Sequence, residues 1–147
     1  MKTKKQIAVI TFSWILVIIC MIIIFAFSSQ SGVNSQTLSD NFTTFLGLPL
    51  SVVNFIRKTA HFLEFTGLAV LLYNALYRTF GFYRPYLTFA LTAAYAASDE
   101  IHQIFVEDRA CRLFDLFVDC CGAVTGIAVL TVLIMIYNKF KSRRGLL

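Results

Sequence analysis

Four long runs of apolar residues follow one another along the chain and are separated by more polar connections. They cover residues 7–27, 52–77, 86–105 and 113–137. Each run approaches or exceeds the ~20 residues that a helix needs to cross the hydrocarbon core of a bilayer. The first run contains no charged residue, whereas each of the others carries ionisable residues near one end. The pattern predicts an all-α, polytopic membrane protein in which residues 1–147 form a single domain, a bundle of four transmembrane helices.

The connection between the first two runs, residues 28–51, is too long to be a simple turn. Its apolar residues recur with the spacing i, i+4, i+7 and i+8, which is typical of one face of a helix: Leu38, Phe42, Phe45 and Leu46. Pro49 ends any continuation. We predict a short amphipathic helix that lies flat at the membrane interface between spans one and two.

The basic residues predict the orientation of the four spans. Nine share one side: Lys2, Lys4, Lys5, Arg78, Arg84, Lys139, Lys141, Arg143 and Arg144. The remaining four fall on the other side: Arg57, Lys58, Arg109 and Arg112. Because cytoplasmic loops carry the excess of Lys and Arg, both termini are expected in the cytoplasm.

Composition agrees with a membrane protein. Hydrophobic residues make up 58% of the chain and charged residues 14%, against ~45–50% and ~25% in soluble domains. This excludes a disordered chain and argues against an ordinary soluble fold, since a protein of this size cannot bury so large an apolar fraction. The net charge of +5 comes from residues that flank the apolar runs, so the expected partner is the lipid bilayer and not nucleic acid.

A cleaved signal peptide is the alternative interpretation of the first 28 residues, because Ala26-Phe27-Ser28 loosely resembles a cleavage site. The apolar run of 21 residues is, however, longer than the ~7–15 residues of a signal-peptide core. We therefore expect this segment to be retained as the first span.

With this orientation, every acidic residue and both histidines fall on the outer side. Helical spacing arranges the polar residues of the spans in three stripes, one on each of the last three helices: Arg57, His61 and Glu64; Asp99, His102 and Gln103; Arg112, Asp115 and Asp119. Placing such groups within a bilayer costs at least ~2.5–3.5 kcal/mol each, so they should pair with one another or face a wet cavity.

The three stripes predict one pocket that opens outward. It would contain His61, Glu64, Asp99, His102, Asp115 and Asp119, with Arg57, Gln103, Arg109 and Arg112 as candidate ligand-binding residues. We expect Arg57 to pair with an acidic residue of the third or fourth helix, and Arg109 to close the mouth. The structural alternative is that His61 and Glu64 form a simple pair and that the aspartates only neutralise the arginines.

Several short motifs resemble those of VanZ-like proteins. They are Phe27-Ser28-Ser29-Gln30, residues 57–65 (RKTAHFLEF), residues 98–105 (SDEIHQIF), and Arg109 followed by Asp115, Asp119, Gly122 and Gly126 in a D-x-x-x-D-x-x-G-x-x-x-G pattern. The resemblance implies a small bacterial membrane protein with a role in the cell envelope. The founding member of that family is linked to low-level resistance to the glycopeptide teicoplanin, by a route separate from the altered cell-wall terminus that defeats vancomycin. The resemblance does not supply a reaction.

Two classes of function remain open. In the first, the pocket binds an envelope lipid, a lipid-linked cell-wall precursor or a lipoglycopeptide, and arginines hold a phosphate or carboxylate. In the second, the protein is an intramembrane hydrolase or transferase that uses the histidines and carboxylates. A divalent metal would then have His61, His102, Glu64 and Asp119 as candidate ligands, although no segment has metal-ligand spacing. Proton-coupled transport is less favoured, because no polar residues continue through the cytoplasmic half.

Overall fold

A computed structural model of the protein describes residues 2–30, 53–107 and 112–143, together with positions 37, 40, 41, 44 and 45. These residues form four long helices and no strand. The helices are α1 (Lys4–Ser28), α2 (Val53–Phe80), α3 (Pro85–Gln103) and α4 (Leu113–Arg143). The predicted all-α class is confirmed.

The predicted interfacial helix falls mostly outside the described residues. Leu38, Phe42, Leu46 and Pro49 are among those not described, whereas the five isolated positions of the connection are helical. Thr44 Oγ1 donates a hydrogen bond to the Asp40 carbonyl oxygen at 2.8 Å. This spacing of four residues is that of one helical turn. The orientation of the segment relative to the membrane stays a prediction.

Local sequence explains where α1 and α2 are bounded. Thr3 and Gln6 form a capping box before α1: Thr3 Oγ1 accepts a hydrogen bond from the Gln6 backbone nitrogen at 3.2 Å, and the Thr3 nitrogen donates to Gln6 Oε1 at 2.9 Å. At the other boundary Gly81 has a φ of 82°, and its nitrogen donates to the Tyr77 carbonyl at 2.7 Å. A left-handed residue in this position is a common helix stop.

The third and fourth helices differ from the predicted spans at their carboxyl ends. Pro85 opens α3, as its fixed φ favours. This helix ends at Gln103, so that Ile104 and Phe105, which the apolar pattern includes in the span, lie in a turn. In contrast, α4 continues beyond the apolar run as far as Arg143.

The second helix forms the centre of the bundle. Its buried residues include Phe65, Leu68, Leu72 and Ala75, which pack with residues of α1 and α3, and Ala69, which lies against α4. The buried residues of α2 begin at Phe65, so the bundle shields the second half of this helix, whereas the described side chains of its polar first half are partly or fully exposed.

Two glycines bring α4 close to α2. A Cβ atom at Gly122 would lie 2.4 Å from the Phe62 carbonyl oxygen, and one at Gly126 would lie 2.6 Å from the Thr66 carbonyl oxygen. Thr66 Oγ1 lies 3.0 Å from the Gly122 carbonyl oxygen, to which it donates. Small residues that allow backbones to approach are typical of helix pairs in membranes.

The outer surface of the bundle is apolar. On α1, residues such as Phe12, Ile18 and Ile22 are about half exposed, and on α4 Leu133 and Met135 are similarly exposed. Within the described ranges, α1 and α4 are the two helices long and apolar enough to cross a membrane. This exterior is typical of a protein surrounded by lipid, since water would penalise so large an apolar area.

The two ends of the bundle differ in charge. At one end, where α1 and α3 finish and α2 and α4 begin, lie the acidic residues of the four helices: Glu64, Asp99, Glu100, Asp115 and Asp119. We call this the acidic end. At the opposite end, which we call the basic end, the described residues include Lys2, Lys4, Lys5, Arg78, Arg84, Lys139, Lys141 and Arg143.

Candidate functional site

Asp99 is a buried anchor between α1 and α3 at the acidic end. Its side chain is only 2% exposed. Asp99 Oδ2 accepts hydrogen bonds from Ser28 Oγ at 2.9 Å and from Gln103 Nε2 at 3.2 Å, and Gln103 Nε2 also lies 3.1 Å from Ser28 Oγ. The other carboxylate oxygen, Oδ1, is buried and has no hydrogen-bond partner within the described ranges. One oxygen is thus held by the protein, and the second keeps its capacity to accept a hydrogen bond.

His102 faces α1. Its Nε2 atom lies 3.2 Å from Ser29 Oγ, and its ring packs on Phe25 with a centroid separation of 4.4 Å. Ser29 donates its own hydroxyl hydrogen to the Phe25 carbonyl oxygen at 2.6 Å. When the Ser29 hydroxyl hydrogen is used in this bond, His102 Nε2 is the donor to Ser29 Oγ, which is the reverse of the arrangement in which a histidine activates a serine as a nucleophile.

Asp115 and Lys58 connect α4 to α2 by an ion pair. Lys58 Nζ lies 3.1 Å from Asp115 Oδ1, with 36% and 25% of the two side chains exposed. The same ammonium group lies 4.1 Å above the Phe114 ring. Within the described part of the chain Arg57 forms no ion pair. The prediction that Arg57 pairs with an acidic residue of the third or fourth helix is therefore wrong, and its neighbour Lys58 forms the pair instead. Successive helical residues point about 100° apart, and this rotation directs Lys58 towards α4.

His61 and Glu64 lie one helical turn apart on α2. His61 Nδ1 is 3.5 Å from Glu64 Oε2, and both side chains are about one-fifth exposed. This is the pair that the structural alternative anticipates. Glu64 also lies within electrostatic range of the Cys20 thiol on α1 and of Asp119 on α4. The pair is therefore part of the contact region between helices and does not project from the bundle.

Asp119 is the point on which the acidic groups converge. It is 2% exposed, and it lies one turn before Gly122, where α4 packs closely against the backbone of α2. Four carboxyl groups lie within its electrostatic range: Glu64, Asp99 and Asp115 from the three polar stripes, and Glu100 next to Asp99. Its Oδ1 atom is buried without a hydrogen-bond partner among the residues described. The structure thus brings the acidic residues of α2, α3 and α4 together.

Glu100 joins this cluster although the helical spacing did not select it. Its side chain is 3% exposed, and Oε2 accepts a hydrogen bond from the Arg112 backbone nitrogen at 2.9 Å. This bond connects the end of α3 to the residue that precedes α4. Spacing arguments also omitted Ser28 and Lys58 from the site, since neither belongs to an acidic stripe.

The predicted rim is only partly described. Arg112 is exposed and Arg57 is partly exposed at the acidic end. Arg109, which the sequence places at the mouth, lies outside the described residues, as do its neighbours 108, 110 and 111. Closure of the pocket by Arg109 stays a prediction.

The described histidines, cysteines and carboxylates include no group of three or more that could hold a metal ion. His61 contacts Glu64 on α2, whereas His102 contacts Ser29 and Phe25. The four candidate metal ligands are therefore not assembled into one ligand set in this part of the chain. Cys20, Cys120 and Cys121 are free thiols.

The sequence matches a known protein family over most of the described helices. The VanZ/LLP1 family model matches residues 12–135, a range that covers most of α1 and α4, all of α2 and α3, and every acidic residue of the cluster. No curated protein and no solved structure matches the chain. The match spans far more than half of the sequence and confirms the resemblance seen in the motifs: the chain belongs to the VanZ/LLP1 family.

Proposed function

We propose that all four helices span the bacterial plasma membrane, with both termini in the cytoplasm, and that the acidic end binds the polar headgroup of a lipid-linked envelope component at the outer surface. One observation carries the binding role. Asp99 and Asp119 are each 2% exposed and each have a buried oxygen without a hydrogen-bond partner among the described residues. Leaving a buried polar group unsatisfied costs ~1–3 kcal/mol, and more for a charged group. A ligand that donates to these oxygens offsets that cost.

The lengths of α2 and α3 support four spans. At ~1.5 Å per residue, the 28 residues of α2 and the 19 residues of α3 are ~42 Å and ~28 Å long. A bilayer core is ~30 Å thick. Their acidic residues and histidines lie near the acidic end, so residues 65–77 of α2 and 86–98 of α3 form segments without charged side chains within the proposed spans.

The residues of the site favour a ligand with both hydrogen-bond donors and an anionic group. Carboxylate oxygens accept hydrogen bonds from hydroxyl, amide and ammonium groups. Arg57 and Arg112 at the same end would pair with a phosphate or carboxylate. The apolar exterior of the bundle would accommodate the hydrocarbon chain of the same molecule. A lipid-linked cell-wall precursor combines these features, and so does an acylated glycopeptide.

The family gives this proposal a drug-related test. The founding member of the family is linked to teicoplanin resistance, and teicoplanin carries an acyl chain that places it at the membrane surface. Expression of this protein in a susceptible Gram-positive host is expected to raise tolerance to teicoplanin more than to vancomycin, which lacks the chain. Asp99→Asn and Asp119→Asn should each abolish the effect, because an amide removes the charge but preserves the shape.

The matched control for these variants is Glu107→Gln, which changes an exposed carboxylate beyond the end of α3 and should retain full tolerance. Membrane levels of each variant, measured by immunoblot, must equal those of the unmutated protein. Full tolerance of both aspartate variants at equal levels would make the buried carboxylates structural and would remove the basis of the proposal.

The proposed orientation has a separate test. In an otherwise cysteine-free chain, Phe82→Cys and Glu107→Cys each introduce a thiol at an exposed position in opposite connections. A membrane-impermeant maleimide should label the Glu107→Cys protein in intact cells and the Phe82→Cys protein only after lysis. Labelling of the Phe82→Cys protein in intact cells would overturn the orientation.

A further inference from the structure

A cavity of about 460 Å³ lies at the basic end, between the beginning of α1 and the end of α2. Known small-molecule sites have volumes of ~300–1,000 Å³, so this cavity is large enough for a headgroup rather than a few waters. It is at the opposite end of the bundle from the acidic cluster. The proposed function does not use it.

The charges around the cavity have one sign. Lys2, Lys5 and Arg78 contribute three cations, and none of the described residues that line it is acidic. Lys2 Nζ donates to the Thr79 carbonyl oxygen at 2.5 Å, which connects the start of α1 to the last turn of α2. Lys5 and Arg78 are exposed at the same opening. Three cations without a described acidic counterpart make the cavity attractive to an anion.

The remaining lining combines hydrogen-bonding and apolar surfaces. Thr3, Gln6 and Thr79 contribute polar groups, whereas Val9 and Ile10 continue the lining along the apolar side of α1. A free inorganic anion would use only the polar part. A molecule with a phosphate and an attached hydrocarbon chain would use both parts.

Positive charge at this end has a simpler explanation, since basic residues at the ends of spans set membrane orientation whether or not a ligand binds. The same end provides an internal comparison. Lys139 and Lys141 at the end of α4 carry equivalent charges but do not line the cavity. If only the total positive charge at this end matters, removing Lys139 and Lys141 should weaken anion binding as much as removing Lys5 and Arg78.

From the cavity, its three cations and its apolar side, we propose that this site binds the phosphate headgroup of an anionic phospholipid in the leaflet that faces the basic end. Basic pockets between membrane helices are suited to such headgroups. With the orientation proposed above, the leaflet is the cytoplasmic one. The site itself does not depend on the function of the acidic end.

The protein contains its own reporter for this cavity. Trp14 is the only tryptophan in the chain. Its Nε1 atom donates to Thr79 Oγ1 at 3.0 Å, and Thr79 lines the cavity. Lipids with brominated acyl chains quench tryptophan fluorescence at short range, so quenching of Trp14 reports which lipid occupies this part of the surface.

The experiment reconstitutes the full chain in vesicles and compares quenching by brominated phosphatidylglycerol with quenching by brominated phosphatidylcholine. A basic side chain near the surface favours anionic lipid by about fivefold, so the unmutated protein should prefer phosphatidylglycerol at least fivefold. The double variant Lys5→Gln/Arg78→Gln should lose this preference, whereas Lys139→Gln/Lys141→Gln should keep it. The emission maximum of Trp14 in phosphatidylcholine alone, unchanged between variants, shows that the reporter has not moved.

Three other outcomes would overturn the proposal. Equal losses in the two double variants would mean that the end attracts anionic lipid by net charge alone. The second outcome concerns soluble phosphate: pyrophosphate is added to the detergent-purified chain, and its effect on thermal unfolding is measured. If pyrophosphate stabilises the unmutated chain but not Lys5→Gln/Arg78→Gln, while no lipid preference is seen, the cavity is a site for soluble phosphates. Absence of both effects would show that it binds neither.

Discussion

The acidic and basic ends of the bundle handle charge in opposite ways. At the acidic end Asp99, Glu100 and Asp119 are at most 3% exposed and are held between helices. At the basic end the lysines and arginines are mostly exposed, and three of them, Lys2, Lys5 and Arg78, line a cavity. Exposed cations need no function beyond orientation, whereas buried carboxylates must be compensated by the protein or by a ligand. The two ends therefore require different tests.

Side-chain length explains the difference. Lysine and arginine can extend from the end of a span to water while their methylene groups stay in apolar surroundings. Aspartate is too short to do this. Ser28 and Gln103 instead satisfy one oxygen of Asp99, and this requires α1 and α3 to end at the same depth. The acidic end thus depends on helix packing in a way that the basic end does not.

The largest expected effect is on the packing that positions Asp119. Gly122→Ala places a Cβ 2.4 Å from the Phe62 carbonyl oxygen, and backbone atoms cannot yield easily. Overpacking of this kind costs ~1–3 kcal/mol or more, so we expect a large drop in the midpoint of thermal unfolding in detergent. Gly67→Ala is the matched control, because nothing lies within 4 Å of a Cβ there. A gain of up to ~1 kcal/mol in helix propensity is expected for the control. Similar midpoints for the two variants would contradict the α2–α4 contact.

A smaller effect is expected at the junction of α1 and α3. Ser28→Ala removes the hydroxyl that donates to buried Asp99 Oδ2, and loss of one partner of a buried charged group costs ~1–3 kcal/mol. Ser29→Ala is the neighbouring control, because Ser29 is exposed and water can replace its contacts. Thermal unfolding should rank Ser28→Ala well below Ser29→Ala. Equal stability of the two would indicate that Asp99 does not depend on α1.

Much of this arrangement follows from the sequence. The four apolar runs predict the helices to within a few residues, except that α4 extends six residues beyond residue 137, because apolar length fixes the part within lipid and not the end of the helix. Periodicity also indicates that Asp99 and Asp119 face the bundle interior, since a buried stripe repeats every three or four residues. The depth of each stripe follows from its distance to the end of the run.

The sequence did not predict how each helix is rotated about its axis, or which side chains of neighbouring helices contact each other. A stripe covers about 100° of a helix, so neighbouring residues such as Arg57 and Lys58 are both compatible with it. The close approach at Gly122 determines how α4 is rotated against α2, and Lys58 is then the residue that reaches Asp115. The same uncertainty in helix rotation explains why the spacing argument left Glu100 out of the predicted pocket. Ser28 was not predicted because its hydrogen bond to Asp99 depends on how α1 packs against α3, which the sequence of α1 alone does not indicate.

The smallest expected effect tests that correction directly. Lys58→Gln removes an ion pair of 3.1 Å and a cation–π contact of 4.1 Å. Because both groups are partly exposed, the pair should contribute no more than ~1 kcal/mol and should weaken as salt is added. Arg57→Gln should have no measurable effect on unfolding, since Arg57 forms no ion pair within the described residues. A double-mutant cycle with Asp115→Asn separates the pairwise contribution from other effects of each change. Coupling of Asp115 to Lys58 but not to Arg57 supports the rotation of α2 described above. Coupling to Arg57 instead would mean that α2 is rotated by about one residue, and the positions of His61 and Glu64 in the cluster would then change with it.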